Sequence, residues 1–236
     1  MNLFCSNLSL YAAYAESDFF GKCIFFGLFT LSICCWVVMI QKTLQVKKAR
    51  RLADTFRKAC QKNQEHLLAL DPKRAGHPFA QVFSALKGKT LEILNKNHFF
   101  SEEKDKVYLT RSDLDLLESH VLTTISSESK ALERHLFILS TIRTLAPFVG
   151  LLGTVWGILL TFAEMKTGAS VSSNTAILGG LSTALATTVL GLLIAIPALI
   201  AYNWLHNSSK TLTSDMEDFL YNLLSTIELQ YRRPAE

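Results

Sequence analysis

What one long part of this 236-residue chain lacks is charge. Between Arg143 and Lys210 only Glu164 and Lys166 are formally charged. A helix on the surface of a soluble protein needs a polar face, and this stretch supplies none. The whole chain is 49% hydrophobic and 19% charged, which is apolar for a soluble domain. The excess sits in a few runs, as in membrane proteins, rather than being spread through a core. Cysteine pairing is also missing. Cys5, Cys23, Cys34, Cys35 and Cys60 are odd in number and contain no CxxC, and three lie in one apolar run. That excludes a disulfide framework and a thiolate metal site. His66, His77, His98, His120, His135 and His206 share no spacing, so no metal ion and no cofactor is expected. No nucleophile–base pair is visible, so no enzyme activity is expected. No basic cluster is interleaved with aromatics, which sets nucleic acid aside as a partner. The net charge of +4 fits the positive-inside bias of a membrane protein. Internal repeats and low-complexity segments are absent. The N-terminus has no basic n-region, and its apolar run follows Ala13-Tyr14-Ala15 instead of preceding it. It reads as a short uncleaved segment.

What is present is a set of membrane-length runs. Cys23–Ile40 is apolar for about 18 residues and Phe19-Phe20 extend it, long enough to span hydrocarbon with Lys22 snorkelling. Glu16 and Asp18 precede it; Lys42, Lys47, Lys48, Arg50 and Arg51 follow. The N-terminus is therefore expected outside and Gln41 onward in the cytoplasm. Lys42–Gln64 has no breaker and should continue the first span as a helix. Asp71-Pro72 and Gly76-His77-Pro78 break it, a helical pattern resumes over Phe79–Leu94, and Asn95–Lys106 reads as a loop. Ser112-x-x-Asp115 resembles a capping box opening a helix that runs unbroken into the membrane, about 50 residues in all. The second and third spans are near Thr144–Ala163 and Ala176–Leu205, joined by the turn from Glu164 to Asn174. The tail, with Met216, Phe219, Leu220, Leu223, Leu224 and Ile227, forms an amphipathic helix.

Gly150, Thr154, Gly157 and Thr161 share one face of the second span. Gly180, Ala184, Thr187/Thr188, Gly191 and Ala195 do the same on the third. Two readings stay open. Small residues let helices approach closely in lipid, with Thr bonding across the contact; alternatively the hydroxyls line a pore. Pro147 and Pro197 lie inside the spans, where kinks are expected. No Asp, Glu, Lys or His lies in the middle of any span. Hydroxyls do not titrate, so if protons are conducted another chain must supply a carboxylate.

Leu151-Leu152-Gly153-Thr154-Val155-Trp156-Gly157-Ile158 resembles the second-span signature of the MotA/TolQ/ExbB proton-channel family. Gly180-Leu181-Ser182-Thr183-Ala184-Leu185-Ala186-Thr187-Thr188, followed by Gly191-Leu192, Ala195-Ile196-Pro197-Ala198 and Tyr202-Asn203, is similar to its third-span motif. Three spans with an outside N-terminus resemble the TolQ/ExbB branch. The resemblance implies a homopentamer in the bacterial inner membrane, its second and third spans surrounding a pore. That pore holds two single-span helices of an ExbD/TolR-like partner bearing the membrane Asp. Proton flow would then power a TonB/TolA-like protein acting on the outer membrane. Thr154 and Thr188 match pore-lining threonines, and Pro147 matches a proline of the second span. Where the family places a Glu, this chain has Thr183.

The expected fold is all-α: three transmembrane helices with long cytoplasmic helical extensions, pentameric around a central pore. The expected order is a periplasmic N-terminus (1–18), span 1 (19–41), a cytoplasmic helical domain (42–140), span 2 (141–163), a periplasmic turn (164–175), span 3 (176–205) and a cytoplasmic C-terminal helix (206–236). The expected pore-lining residues are Thr154, Thr188, Thr187, Thr183 and Thr161; the packing residues are Gly150, Gly153, Gly157, Gly180 and Gly191. A non-conducting scaffold of the same fold is the alternative.

Overall fold

The computed structural model describes residues 14–15, 17–62, 77–100, 108–166 and 174–231. The N-terminal segment before Tyr14, the Asp71-Pro72 break, the centre of the turn (167–173) and Arg232-Arg233 lie outside the described residues. Five long helices make up nearly everything else: α1 Phe19–Lys62, α2 Pro78–Phe100, α3 Arg111–Glu133, α4 Leu136–Lys166 and α5 Asn174–Tyr231. Apolar stretches in α1, in the α3–α4 run and in α5 are long enough to cross a membrane.

The first span does continue as one helix, through Lys62, because nothing between Ile40 and that point breaks it. Likewise α5 is a single helix of 58 residues, so the third span and the amphipathic tail are one element. Both Pro147 and Pro197 lie inside uninterrupted helices.

Three local expectations are corrected. The helix after Pro78 runs to Phe100, so Asn95–Phe100 is helix rather than loop. Asn97 holds that last turn by donating to the Tyr108 carbonyl (3.2 Å) and to Asp113 Oδ2 (3.1 Å). The capping box opening α3 is Thr110 with Asp113, two residues before the expected pair. Thr110 Oγ1 accepts from the Asp113 amide (3.2 Å), and Asp113 Oδ2 accepts from the Thr110 amide (2.9 Å). Finally, the run from Arg111 to Ala163 is helical but interrupted at Arg134-His135. His135 has φ 74° and Arg134 has ψ 131°, so the ladder cannot pass. His tolerates the left-handed region better than most side chains, and no Gly or Pro marks the site.

The chain divides into two compact units. One comprises Met1–Lys42 with His135–Trp204, and the other Thr43–Arg134 with Leu205–Glu236. The first, which holds the three apolar stretches, buries alanines beside Leu28, Leu139 and Ile142 and leaves many large apolar side chains exposed. Ala146, Ala184, Ala195, Ala198 and Ala201 are buried, while Phe26, Phe29, Trp36, Phe148, Phe162, Val189 and Ile200 are exposed. Such an inverted surface is tolerated only where lipid or protein covers it.

The second unit has an ordinary apolar core. Phe79, Val82, Phe83 and Leu86 of α2 meet Leu117, Val121 and Ile125 of α3 and Met216, Leu220 and Leu223 of α5. Phe56 sits edge-on to Phe83 (5.6 Å), His77 (5.2 Å) and Phe219 (6.1 Å). Arg57 stacks over Phe79 (5.5 Å) and donates to the Asp215 carbonyl (3.1 Å).

His77 caps α2. Its Nδ1 accepts from the Ala80 amide (3.3 Å), and Pro78 follows at the first helical position, where a missing N–H costs nothing. Burial holds the imidazole below its ordinary value of 6.5, so the neutral form is the folded one. Its contribution is complete above about pH 6.5 and is lost as the pH falls below that toward the lowered folded value. H77N keeps an acceptor at the cap without the titration. Thermal unfolding of the full chain in detergent should show a smaller drop between pH 7 and pH 5 for H77N than for wild type. An unchanged acid-side drop would contradict the assignment.

Candidate functional site

Sequence sets the geometry of the α4–α5 hairpin through its smallest residues. As residue numbers rise along α4 their partners fall along α5, so the two helices are antiparallel. A Cβ added at Gly191 would stand 2.6 Å from the Ala146 carbonyl oxygen and 3.2 Å from Gly150 Cα. One added at Gly150 would stand 2.9 Å from the Thr187 carbonyl oxygen. Gly153 faces the Thr187 side chain, Gly157 faces Ala184, and Gly180 faces Thr161. Backbone therefore lies against backbone where Ala146 and Gly150 meet Thr187 and Gly191, and further along the contact the glycines make room for the side chains of Thr187, Ala184 and Thr161.

Hydroxyls bridge that contact. Thr187 Oγ1 donates to the Gly150 carbonyl at 3.1 Å, with the Ala184 carbonyl at 2.7 Å. Thr188 Oγ1 donates to the same Gly150 carbonyl at 3.0 Å and lies 3.4 Å from Thr154 Oγ1. Thr154 in turn donates to the Leu151 carbonyl (2.7 Å). The three threonines thus gather around one carbonyl of α4. Thr161 and Thr183 stand apart from this group, each donating back to its own helix, to Gly157 (2.9 Å) and Gly179 (3.0 Å). Exposure separates the five differently. Thr154 and Thr187 are buried within the single chain, at 7% and 3%, whereas Thr161, Thr183 and Thr188 keep part of their surface open.

A cavity of about 520 Å³ opens beside the hairpin, lined by Gly153, Trp156, Thr161, Thr183 and Thr187 together with Asp18. The carboxylate of Asp18 is the feature that patterning along the spans missed. It caps α1, accepting from the Gly21 amide (2.9 Å) and the Phe20 amide (3.3 Å). It also accepts from Trp156 Nε1 (3.1 Å), whose indole lies against Phe20 at 4.5 Å. Burial pushes this carboxyl up, but the Gly21, Trp156 and Phe20 donors outweigh it and hold it below the ordinary value. The available sign was an acidic residue placed as a cap just before an apolar run.

At the other end of the hairpin, the Arg143 guanidinium lies 4.1 Å over the Tyr202 ring and 3.5 Å from Asn203 Oδ1. This fixes a cation where the apolar part of α4 begins. Among the described residues no group of His, Cys, Asp or Glu could hold a metal ion.

Chemically, the contact between α4 and α5 is a hydroxyl-bearing seam, and the Asp18 carboxylate lines the cavity beside it. Proteins with similar sequences carry related names. The chain is 27% identical over 210 residues to the biopolymer transport protein ExbB of Salmonella typhimurium, covering 86% of this chain and 79% of that one. It is 25% identical over 211 residues to the Tol-Pal system protein TolQ of Haemophilus influenzae, covering 86% of each. Over 89 residues it is 42% identical to the biopolymer transport protein ExbB-like 2 of Helicobacter pylori, which covers 38% of this chain and 59% of that one. Residues 93–218 match the model of the MotA/TolQ/ExbB proton channel family. That match covers more than half of the chain, including both helices of the seam, and the chain belongs to this family, in its TolQ/ExbB branch.

Proposed function

We propose that this chain is the multi-span subunit of a stator-type complex driven by the proton-motive force. It sits in the bacterial inner membrane with its N-terminus periplasmic and its C-terminus cytoplasmic. Five copies surround a pore, and an ExbD/TolR-like partner places one membrane Asp per helix inside it. The complex energises a TonB/TolA-like protein and, through it, transport or envelope maintenance at the outer membrane. Thr154, Thr188, Thr187, Thr183 and Thr161 line the proton path. Gly150, Gly153, Gly157, Gly180 and Gly191 set the spacing of the wall, with Pro147 and Pro197 as kink points.

The observation that supports this reading best is the threonine group at the Gly150 carbonyl. It puts Thr154 beside Thr188, in two spans whose central parts carry no formal charge. Hydroxyls there exchange hydrogen bonds with a guest carboxylate at little cost, and a neutral wall leaves the guest's proton as the titrating one.

A second reading, the non-conducting scaffold, draws on a different observation. Thr154 and Thr187 are buried inside their own hairpin, and Thr183 stands where the family resemblance places a Glu. The two readings separate in liposomes holding this chain and a single-span Asp-bearing partner. For the channel, T154V with T188V lowers proton flux about tenfold or more while the complex still assembles. Unchanged flux in the double variant would contradict the assignment of these hydroxyls.

A further inference from the structure

Across the three spans, carboxylates are missing from the middle, yet the cavity beside α4 and α5 is not without one. Among the described residues that line it, Asp18 is the ionisable one; α4 and α5 contribute Trp156 and the hydroxyls of Thr161, Thr183 and Thr187. The nearest charged neighbour in sequence on α1 is Lys22, one turn further on. Asp18 is reached from three sides, by the amides of Phe20 and Gly21 and by the Trp156 indole. Every one of these donors favours the ionised form, so a proton taken up here is held briefly and released readily. The carboxylate therefore has a fixed place, an open side toward water, and a hydroxyl-lined space of about 520 Å³ beside it.

We infer that Asp18 is the proton-exchanging carboxylate contributed by this chain itself: it takes a proton from water at the cavity mouth and gives it up into the space lined by Thr183. This rests on the channel reading proposed above. The exchange balances by itself, since the proton taken up as Asp18 is neutralised is the one released when it ionises again. Neutralising the carboxylate weakens the charge-assisted bond from Trp156, so the indole reports the step. Thr183 matters because it lines the same cavity from α5.

The test uses the full chain reconstituted in liposomes with a single-span Asp-bearing partner. D18N keeps a cap acceptor and an acceptor for Trp156, so folding is retained. D18N should lower proton flux by about a hundredfold, the low end of what a positioned proton-transfer group contributes. D18N combined with T183E should recover most of it, because the carboxylate returns to the same cavity. In a W36F/W204F background, Trp156 emission should shift with acid pH in the otherwise wild-type chain and stay flat in D18N. Wild-type flux with undiminished D18N flux overturns this inference and leaves the channel standing. Absence of flux from the wild type overturns the channel reading and this inference with it. Lowered D18N flux without a Trp156 titration in the parent makes Asp18 a structural cap and also overturns it.

Discussion

Gly191→Val is expected to lower the thermal midpoint of the detergent-solubilised chain by about 5–15 °C. The first atom of the new side chain would stand 2.6 Å from the Ala146 carbonyl oxygen and 3.2 Å from Gly150 Cα. Both are backbone and cannot rotate away, so α4 and α5 must separate. Overpacking of this kind costs about 1–3 kcal/mol. Separation also weakens the Thr187 and Thr188 bonds to the Gly150 carbonyl, each worth about 0.6 kcal/mol in a membrane protein. Gly27→Ala is the control. A Cβ there meets nothing within 4 Å, and helix propensity favours Ala by about 1 kcal/mol. Gly27→Ala should leave the midpoint unchanged or raise it; a Gly191→Val chain as stable as wild type would contradict the close backbone contact.

Phe83→Ala is expected to have the larger effect, in the other unit. Phe83 is 1% exposed and meets Phe56 edge-on at 5.6 Å, within the cluster that joins α2, α3 and α5. Truncation leaves a cavity that rigid helices close poorly, at about 3–5 kcal/mol. The midpoint should fall by about 10 °C or more. Phe83→Leu fills most of the space and should lose markedly less. Leu229→Ala, at a side chain 81% exposed, should change little. A loss below about 1 kcal/mol for Phe83→Ala would contradict the core described here.

Much of the helical layout was readable because its signals are local. Unbroken apolar runs required long helices, and the absence of breakers after Ile40 required α1 to continue to Lys62. What escaped the sequence depends on contacts between distant segments. Asn95–Phe100 is polar enough to read as a loop, yet Asn97 is held by Tyr108 and Asp113 across the chain. Two Ser/Thr–Asp pairs with the same spacing overlap at the start of α3, and only the backbone shows that Thr110 caps rather than Ser112. The interruption at His135 has no Gly or Pro to announce it; the left-handed φ is borne by a side chain that tolerates it. The stripes of Gly and Thr were visible as spacing, but spacing could not say which hydroxyls share a carbonyl. Nor could it bring Asp18 to Trp156, 138 residues away.

Whether this chain is the wall of a partner-dependent proton channel is decided by one flux measurement. Liposomes carry the wild-type chain with a single-span partner, once with the partner's membrane Asp intact and once with it changed to Asn. Proton flux down an imposed gradient is expected with the intact partner, and flux near the empty-liposome level with the Asn partner or with this chain alone. Flux that is equal with and without the partner's Asp, or absent in every combination, would contradict that role.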